Sequence, residues 1–352
     1  MTGVRTLTVA EGDGGVRLDR WLRRHFPHVT QGAIEKMCRT GQLRVDGGRV
    51  RASTRVAPGQ SVRVPPLPKA PPPAPAPSRP KESTSEDDAR MIQAAVLWMD
   101  DHIIALNKPP GLPSQGGSGQ GSRHVDGLTG ALMFGYKDCP KLVHRLDKDT
   151  SGVLLLARTD RVAARLSAAF RARTTRKIYW AAVAGVPSPR MGTIRFGLVK
   201  APGHGRGGEG EKMRTIHPAA IDSTEGAKRA TTDYAVIEAL GRRAAWVALV
   251  PVTGRTHQLR AHMAGIGHPI VGDGKYGGSG QENPGEGWGA QLGGEISRKL
   301  HLHARSISFD HPVTGRRITL IAPLPAHMAR TWASLGWAEA DAPADPFAGA
   351  AG

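Results

Sequence analysis

The sequence predicts an α+β chain of two folding units, a small one followed by a large one. Its 352 residues exceed what a single hydrophobic core usually organises. Nine prolines between Pro65 and Pro80, followed by Ser83-Thr84-Ser85-Glu86-Asp87-Asp88, mark a semi-rigid linker over residues 65–92. On both sides of it, segments of helical period and segments of strand period are interspersed.

Hydrophobic residues at 39% and charged residues at 22% suit a globular chain, while 45 Gly and 27 Pro point to long loops. Lys and Arg outnumber Asp and Glu 48 to 30, a net charge of +18 that concentrates polyanions, so RNA, DNA or an anionic membrane is the expected partner. Met1–Arg17 lacks the apolar core of a signal peptide and no apolar run approaches eighteen residues, so secretion and membrane spanning are not expected. Cys38 and Cys139 alone make neither a disulfide framework nor a four-ligand zinc site, which fits a reducing cytoplasm.

Over Met1–Val64, twelve Lys or Arg stand against five Asp or Glu, so the small unit is basic in its own right. Leu18, Trp21, Leu22 and Phe26 recur at helical spacing with Arg17, Arg20, Arg23 and Arg24 between them, an amphipathic helix with a basic wet face. Thr30 suits the cap of a second helix carrying Ala33, Ile34, Met37 and Cys38, and Gly41 suits its left-handed stop. Leu43–Val45, the turn Asp46-Gly47-Gly48 and Val62–Val64 read as short strands around a hairpin. A solvated charged face on a generic α+β module explains these arginines as well as RNA binding does.

The large unit begins near Ala94, with a hairpin of Val96–Met99 and Ile103–Leu106 around Asp100-Asp101-His102. Gly152–Ala157 is a short apolar strand, and Val162, Leu166 and Phe170 mark its covering helix. Lys177–Val183 alternates, placing Lys177 and Tyr179 on one strand face and Ile178 and Trp180 on the other. Trp246–Val250 is a further strand, followed by a helix from about Thr256 to Ile266. Residues 201–228 and 278–298 are Gly-rich, polar and expected to be loop insertions, and 338–352 a disordered tail.

Two polar clusters stand in apolar surroundings. His144-Arg145-Leu146-Asp147-Lys148-Asp149-Thr150-Ser151-Gly152 leads straight into the buried strand, the place where a rigid sheet presents a reactive loop. A turn in which Asp147 or Asp149 accepts local backbone amides explains the same residues. Gly254-Arg255-Thr256-His257-Gln258-Leu259-Arg260-Ala261-His262 begins where a strand ends and a helix starts, and a basic helix with satisfied histidines stays open for it.

With the strand bearing Tyr179, these clusters resemble the Rlu-type family of pseudouridine synthases, whose hallmark loop appears here as His144-Arg145-Leu146-Asp147. The likeness continues through Asn107-Lys108-Pro109-Pro110-Gly111-Leu112, Arg176–Tyr179, Gly254–Arg260, Gly267–Asp273, Leu300–Ala304 and His311–Gly315. Pro113-Ser114-Gln115-Gly116 departs from the family's more usual Val-His-Pro. Val16–Val64 resembles the S4 RNA-binding domain, which narrows the likeness to the branch acting on large-subunit ribosomal RNA.

The resemblance implies a mixed, largely antiparallel sheet flanked by helices and split by a basic cleft, working without metal or cofactor. It implies Asp147 as nucleophile toward the sugar C1′ or the base C6, Arg255 as its charge partner, and Tyr179 stacked on the target base near the C5 proton. Lys177 would help place the tyrosine, Arg145 would contact the backbone of a flipped nucleotide or fill the gap it leaves, His144 would shape the loop, and Leu146 and Leu259 would wall the pocket. In the S4-like unit, Arg17, Arg20, Arg23, Arg39 and Arg44 would contact phosphates.

The expectation is a monomeric cytoplasmic enzyme acting on large-subunit ribosomal RNA. Transfer RNA is the alternative substrate, since enzymes acting on it share every motif, and a noncatalytic ribosome-assembly factor is the reading from another class. A metal hydrolase built on His257, His262, His301 and His303 lacks a third-ligand spacing, and Gly203–Gly208 lacks the ending of a phosphate-binding loop.

Overall fold

The structure, a computed structural model, describes residues 3–67, 85–116, 121–201, 212–277 and 296–348. The chain divides into two compact units, Met1–Glu82 and Ser83–Gly352. The linker prolines from Pro68 onward lie outside the described residues.

The small unit comprises β1 (Arg5–Thr8), α1 (Leu18–His25), α2 (Gln31–Arg39), β2 (Arg44–Val45), β3 (Gly48–Arg49) and β4 (Ser61–Val64), its sheet ordered β1-β4-β2-β3. Leu18, Trp21 and Leu22 of α1 meet Ile34 and Met37 of α2 over Leu43 and Val62 in one core. Thr30 caps α2 by accepting the Ala33 amide at 3.4 Å, and Gly41 takes the left-handed turn after it with φ +70°. The sequence offers no signal for β1, because only Leu7 among its four residues is apolar; the strand exists by pairing with β4.

The large unit opens with α3 (Glu86–Ala94), capped by Ser85 Oγ accepting the Asp88 amide at 3.1 Å. Residues read as the acidic end of the linker are therefore helical, with Glu86, Asp87 and Asp88 complementing the helix dipole in its first turn. There follow β5 (Val96–Met99), β6 (Ile103–Lys108), α4 (Val125–Leu128), β7 (Lys141–Leu142), β8 (Ser151–Ala157), α5 (Asp160–Ala172) and β9 (Arg176–Ala184). The remainder is β10 (Met191–Lys200), β11 (Met213–Ile216), β12 (Lys228–Leu240), β13 (Ala244–Pro251), α6 (Gln258–Gly265), β14 (Leu302–Asp310), β15 (Arg317–Ile321) and α7 (Ala326–Ser334).

The strands form one sheet ordered β11-β10-β12-β13-β9-β14-β8-β6-β5, with β15 on β14 and β7 on β8. All these pairings are antiparallel except β14 with β8, so the sheet is mixed and largely antiparallel. Alternation sorts its two faces. Leu106, Leu154, Leu156, Tyr179 and Val247 share a core with Leu259 and Met263 of α6, while Trp180 and Trp246 on the other face pack with Trp332 of α7 and Trp337. Among the described residues, no helix is long and apolar enough to cross a membrane.

Two expectations about loops need correction. The segment 201–228 contains β11, which pairs with β10 and buries Ile216; its Gly-rich centre and most of the second insertion lie outside the described residues. The C-terminal segment is docked through residue 348. Arg305 pairs with Glu339 at 2.6 Å and Arg176 grips both carboxylate oxygens of Asp345, so charge holds down what low hydrophobicity alone would leave loose.

The single parallel pairing determines where the loop ahead of β8 is delivered. Gly152 sits in it with φ +107°, and a Cβ there would lie 2.3 Å from the Ala304 carbonyl oxygen. Only glycine permits that backbone approach. Gly152→Ala is expected to destabilise the large unit by at least about 3 kcal/mol, combining forced backbone strain with overpacking. Urea unfolding checks this, and a loss within ~0.5 kcal/mol would contradict the close-approach account.

Candidate active site

A cleft of about 780 Å³ opens on the large unit between the 143–150 loop, the start of β9 and the turn from β13 into α6. It gathers His144, Arg145, Leu146, Asp147, Lys177, Tyr179, Arg255 and Leu259, all of the large-unit residues singled out from the sequence.

The loop bearing Asp147 is shaped from beneath. Lys108, fully buried at the end of β6, donates to the carbonyls of Pro109, Leu112 and Lys148 at 2.9, 2.8 and 3.0 Å. Three acceptors use all three N–H bonds of an ammonium. Burial pulls Lys108 down to about 7, against the opposing pull of the Asp149 and Asp147 charges, and the three carbonyl acceptors, which the two N–H bonds of a neutral amine could not all satisfy, favour the ammonium. Ser114, in the stretch that departs from the family pattern, donates its hydroxyl to the Leu146 carbonyl at 2.7 Å and accepts the Leu146 amide at 3.0 Å. Leu146 is thereby held inward as a wall of the pocket, and Asp147 follows half-buried at its edge. The Asp147 carbonyl accepts the Thr150 amide at 3.2 Å, but neither the Asp147 nor the Asp149 carboxylate accepts a backbone amide among the described residues, so side-chain turn-making does not account for them.

Around the carboxylate, burial sets the protonation states. Tyr179 is buried on β9, and desolvation, with the Asp147 charge, pushes its hydroxyl above the usual phenol range, so it stays an O–H. Lys177, two residues away on the same face, loses affinity for its proton through burial, down to about 8, and lies 4.2 Å from the centre of the Phe170 ring. His144 packs on the same ring at 4.6 Å, and its Nε2 accepts the Leu155 amide at 3.0 Å. Burial, then the charge of Lys177, holds it well below the ordinary histidine range and therefore neutral. Arg145 is exposed and its guanidinium engages none of the described residues.

Arg255 stands apart from its expected partner. Its side chain is exposed on the rim, Nε donates to the Arg229 carbonyl at 3.4 Å, and no ion pair joins it to Asp147 among the described residues. The cause is the turn. Gln258, buried at the start of α6, accepts the Arg255 amide at 3.0 Å and the Thr253 hydroxyl at 2.7 Å, while its Nε2 donates to Thr231 and Thr232. That latch directs residue 255 outward, and His257, left-handed at φ +51°, turns inward. Its Nε2 lies 4.0 Å from Asp147 Oδ2. Sequence reasoning places His257 in a motif without assigning it a part, and gives Lys108 and Ser114 none; a lysine closing an apolar strand is the available signal for Lys108. Of the other histidines weighed as metal ligands, His301 meets Thr331 Oγ1 at 2.8 Å and His303 meets Ser151 Oγ at 2.9 Å, while His262 is buried edge to face against Phe196 with neither ring nitrogen hydrogen-bonded among the described residues.

A family model described as RNA pseudouridylate synthase matches residues 102–265, and one described as S4 domain matches residues 16–62. The chain is 32% identical over 330 residues to the ribosomal large subunit pseudouridine synthase C of Vibrio cholerae, covering 93% of this chain and 95% of that protein. This chain belongs to the RNA pseudouridylate synthase family. It is also 33% identical over 323 residues to the protein of the same description from Rickettsia prowazekii, covering 89% of this chain and 95% of that one. The solved human RNA pseudouridylate synthase domain containing 4 is 30% identical with a TM-score of 0.55, covering 70% of this chain and 95% of that one.

As a pseudouridine synthase with an S4 domain, the chain is an RNA-binding enzyme. Of the five S4 arginines expected on phosphates, Arg20, Arg23 and Arg39 are exposed. The other two have work inside the domain. Arg17 grips Asp19 through Nε and Nη2 at 3.1 and 2.5 Å, and Arg44 donates to the Gly41 and Gly47 carbonyls at 3.1 and 3.2 Å.

Lys108→Met leaves the Pro109 and Leu112 carbonyls without a donor, each costing about 1–3 kcal/mol when buried, and the Lys148 carbonyl with the Gly111 amide alone. The variant is expected to lose at least ~2 kcal/mol in urea unfolding and to turn over far more slowly at saturating RNA. Unchanged turnover would show that the loop holds its shape without the lysine.

Proposed function

We propose that this cleft isomerises uridines of large-subunit ribosomal RNA to pseudouridine, with Asp147 as covalent nucleophile and the S4 domain supplying affinity. The observation that carries this reading is the convergence of Asp147 and a protonated Tyr179 in a cleft of nucleotide size, on a loop braced from below. The ribosomal substrate rests on the relatives described as large-subunit enzymes, which match nearly end to end.

The reaction needs no redox partner. The bond from C1′ to N1 breaks, the base rotates, C1′ joins C5, and the C5 proton is lost while N1 gains one. Asp147 forms a bond to the sugar C1′ or the base C6 and is released at the end. Tyr179 presents a ring for the flipped base and a hydroxyl near C5, with Lys177 beside it. Extracting the nucleotide costs a few kcal/mol. Arg145, exposed and unengaged among the described residues, suits the gap that flipping leaves. Arg255 partners Asp147 in this reading only if RNA draws it off the Arg229 carbonyl, a hydrogen bond weak enough at 3.4 Å to yield. His144, Leu146 and Leu259 shape the pocket, and a monomer suffices because one chain supplies every group.

Asp147→Asn is expected to form pseudouridine at least ~10³-fold more slowly than the unaltered enzyme on large-subunit RNA, with affinity unchanged within about twofold. Wild-type turnover in the variant would sink the nucleophile assignment, and an inactive wild type that still binds tightly would favour the assembly-factor reading.

Replacing Arg20 and Arg23 together by Glu is expected to raise KM while sparing turnover at saturation, and to flatten the salt dependence of binding by about one unit for each phosphate no longer neutralised. An unchanged salt slope would remove both from the RNA interface.

A further inference from the structure

Among the described residues, His257 is the basic side chain that comes within 4.0 Å of the Asp147 carboxylate, and its surroundings dictate which of its nitrogens carries the proton. Its Nδ1 lies 3.1 Å from Tyr276 Oη, with the two rings edge to face at 5.8 Å. Tyr276 Oη already accepts the Met213 amide at 2.8 Å. The tyrosine's own proton is therefore free to go to Nδ1, which becomes an acceptor and leaves the imidazole proton on Nε2. That nitrogen points at Asp147 Oδ2.

Tyr276 is itself held by a buried ion pair. Arg260 donates from Nε and Nη2 to Asp273, both at 2.7 Å, and Asp273 Oδ1 accepts the Lys275 and Tyr276 amides at 3.0 and 3.1 Å. The Arg260 guanidinium also lies 5.2 Å from the Tyr276 ring centre. This continuous set of interactions runs from the Gly272-Asp273 turn through Tyr276 and His257 to the cleft carboxylate. The charged groups facing His257 are Asp147 from the loop, Arg260 on α6, and Asp273 and Lys275 on the turn; burial, the largest influence, keeps its proton affinity below the ordinary range, so the ring is neutral.

We propose that His257 is a positioning residue for the uridine isomerisation: a neutral imidazole, locked by Tyr276 in its Nε2–H tautomer, that orients the Asp147 carboxylate through one oxygen. The inference rests on Asp147 being the nucleophile. One neutral donor fixes the rotamer and leaves the other oxygen to attack. At 4.0 Å the approach is longer than a hydrogen bond in the free enzyme, and the proposal requires it to shorten when RNA binds.

Two isosteres separate positioning from folding. A Gln amide reaches the place of Nε2, whereas an Asn amide reaches only that of Nδ1; Asn also tolerates the left-handed backbone at this position, so His257→Asn folds without added strain. His257→Asn is expected to lower kcat about 10- to 100-fold with KM within about twofold, and His257→Gln to retain kcat within about threefold. Nitrogen-15 spectra of the free enzyme should show Nε2 protonated and Nδ1 bare, and Tyr276→Phe should mix the tautomers. Full kcat in His257→Asn, equal loss in both isosteres, or an Nδ1–H tautomer in the unaltered enzyme would each overturn the proposal. Because the spectra need no turnover, a wild type that makes no pseudouridine would sink the functional reading while the tautomer is still decided.

Discussion

A buried ammonium beneath an irregular loop is the constraint on which the cleft depends. The 143–150 loop lacks regular pairing of its own, and a loop without internal order samples many shapes. Lys108 removes that freedom by taking carbonyls from two separate segments, Pro109 to Leu112 and Lys148, into one three-point anchor. Ser114 adds a second tie at Leu146, and Gly152 fastens the far end against β14. An ammonium here is costly to bury, and its neighbours Asp147 and Asp149 offset part of that cost. The lysine that shapes the loop therefore also supplies positive potential beneath the carboxylate it presents.

The same burial sorts proton donors from charged groups within a few ångströms. Tyr179 keeps its proton and His144 and His257 stay neutral because desolvation dominates each of them. Asp147, at the cleft edge, is only half-buried and stays open to an incoming nucleotide. In the proposed reaction these neutral donors can give and take protons while Asp147 keeps its charge for attack.

How far the sequence reveals this depends on the range of the forces involved. Strands β6, β8, β9 and β13 are readable from local hydrophobic pattern, and the cleft residues from motif. Strands β1, β11 and β14 are not, because they owe their existence to partners far along the chain, and β14 carries His303, whose two ring nitrogens find Ser151 and Ala322 only by folding. The docking of the C-terminal segment through Arg176–Asp345 likewise joins positions 169 residues apart. In the site, the identity of Asp147 is accessible from the motif, whereas the group that faces it is not. The outward course of Arg255 and inward course of His257 are set by Gln258 reaching back to β12, a geometric outcome that no spacing encodes.

In the proposed function the small and large units divide the work by chemistry: exposed arginines on an amphipathic helix supply affinity without sequence choice, and the braced carboxylate of Asp147 supplies the reaction. The most direct test of the whole account is to incubate the purified enzyme with unmodified large-subunit ribosomal RNA and map pseudouridine by carbodiimide-blocked primer extension. Stops at a few discrete uridines are the expected result. An RNA that is bound tightly yet carries no new stop would contradict it.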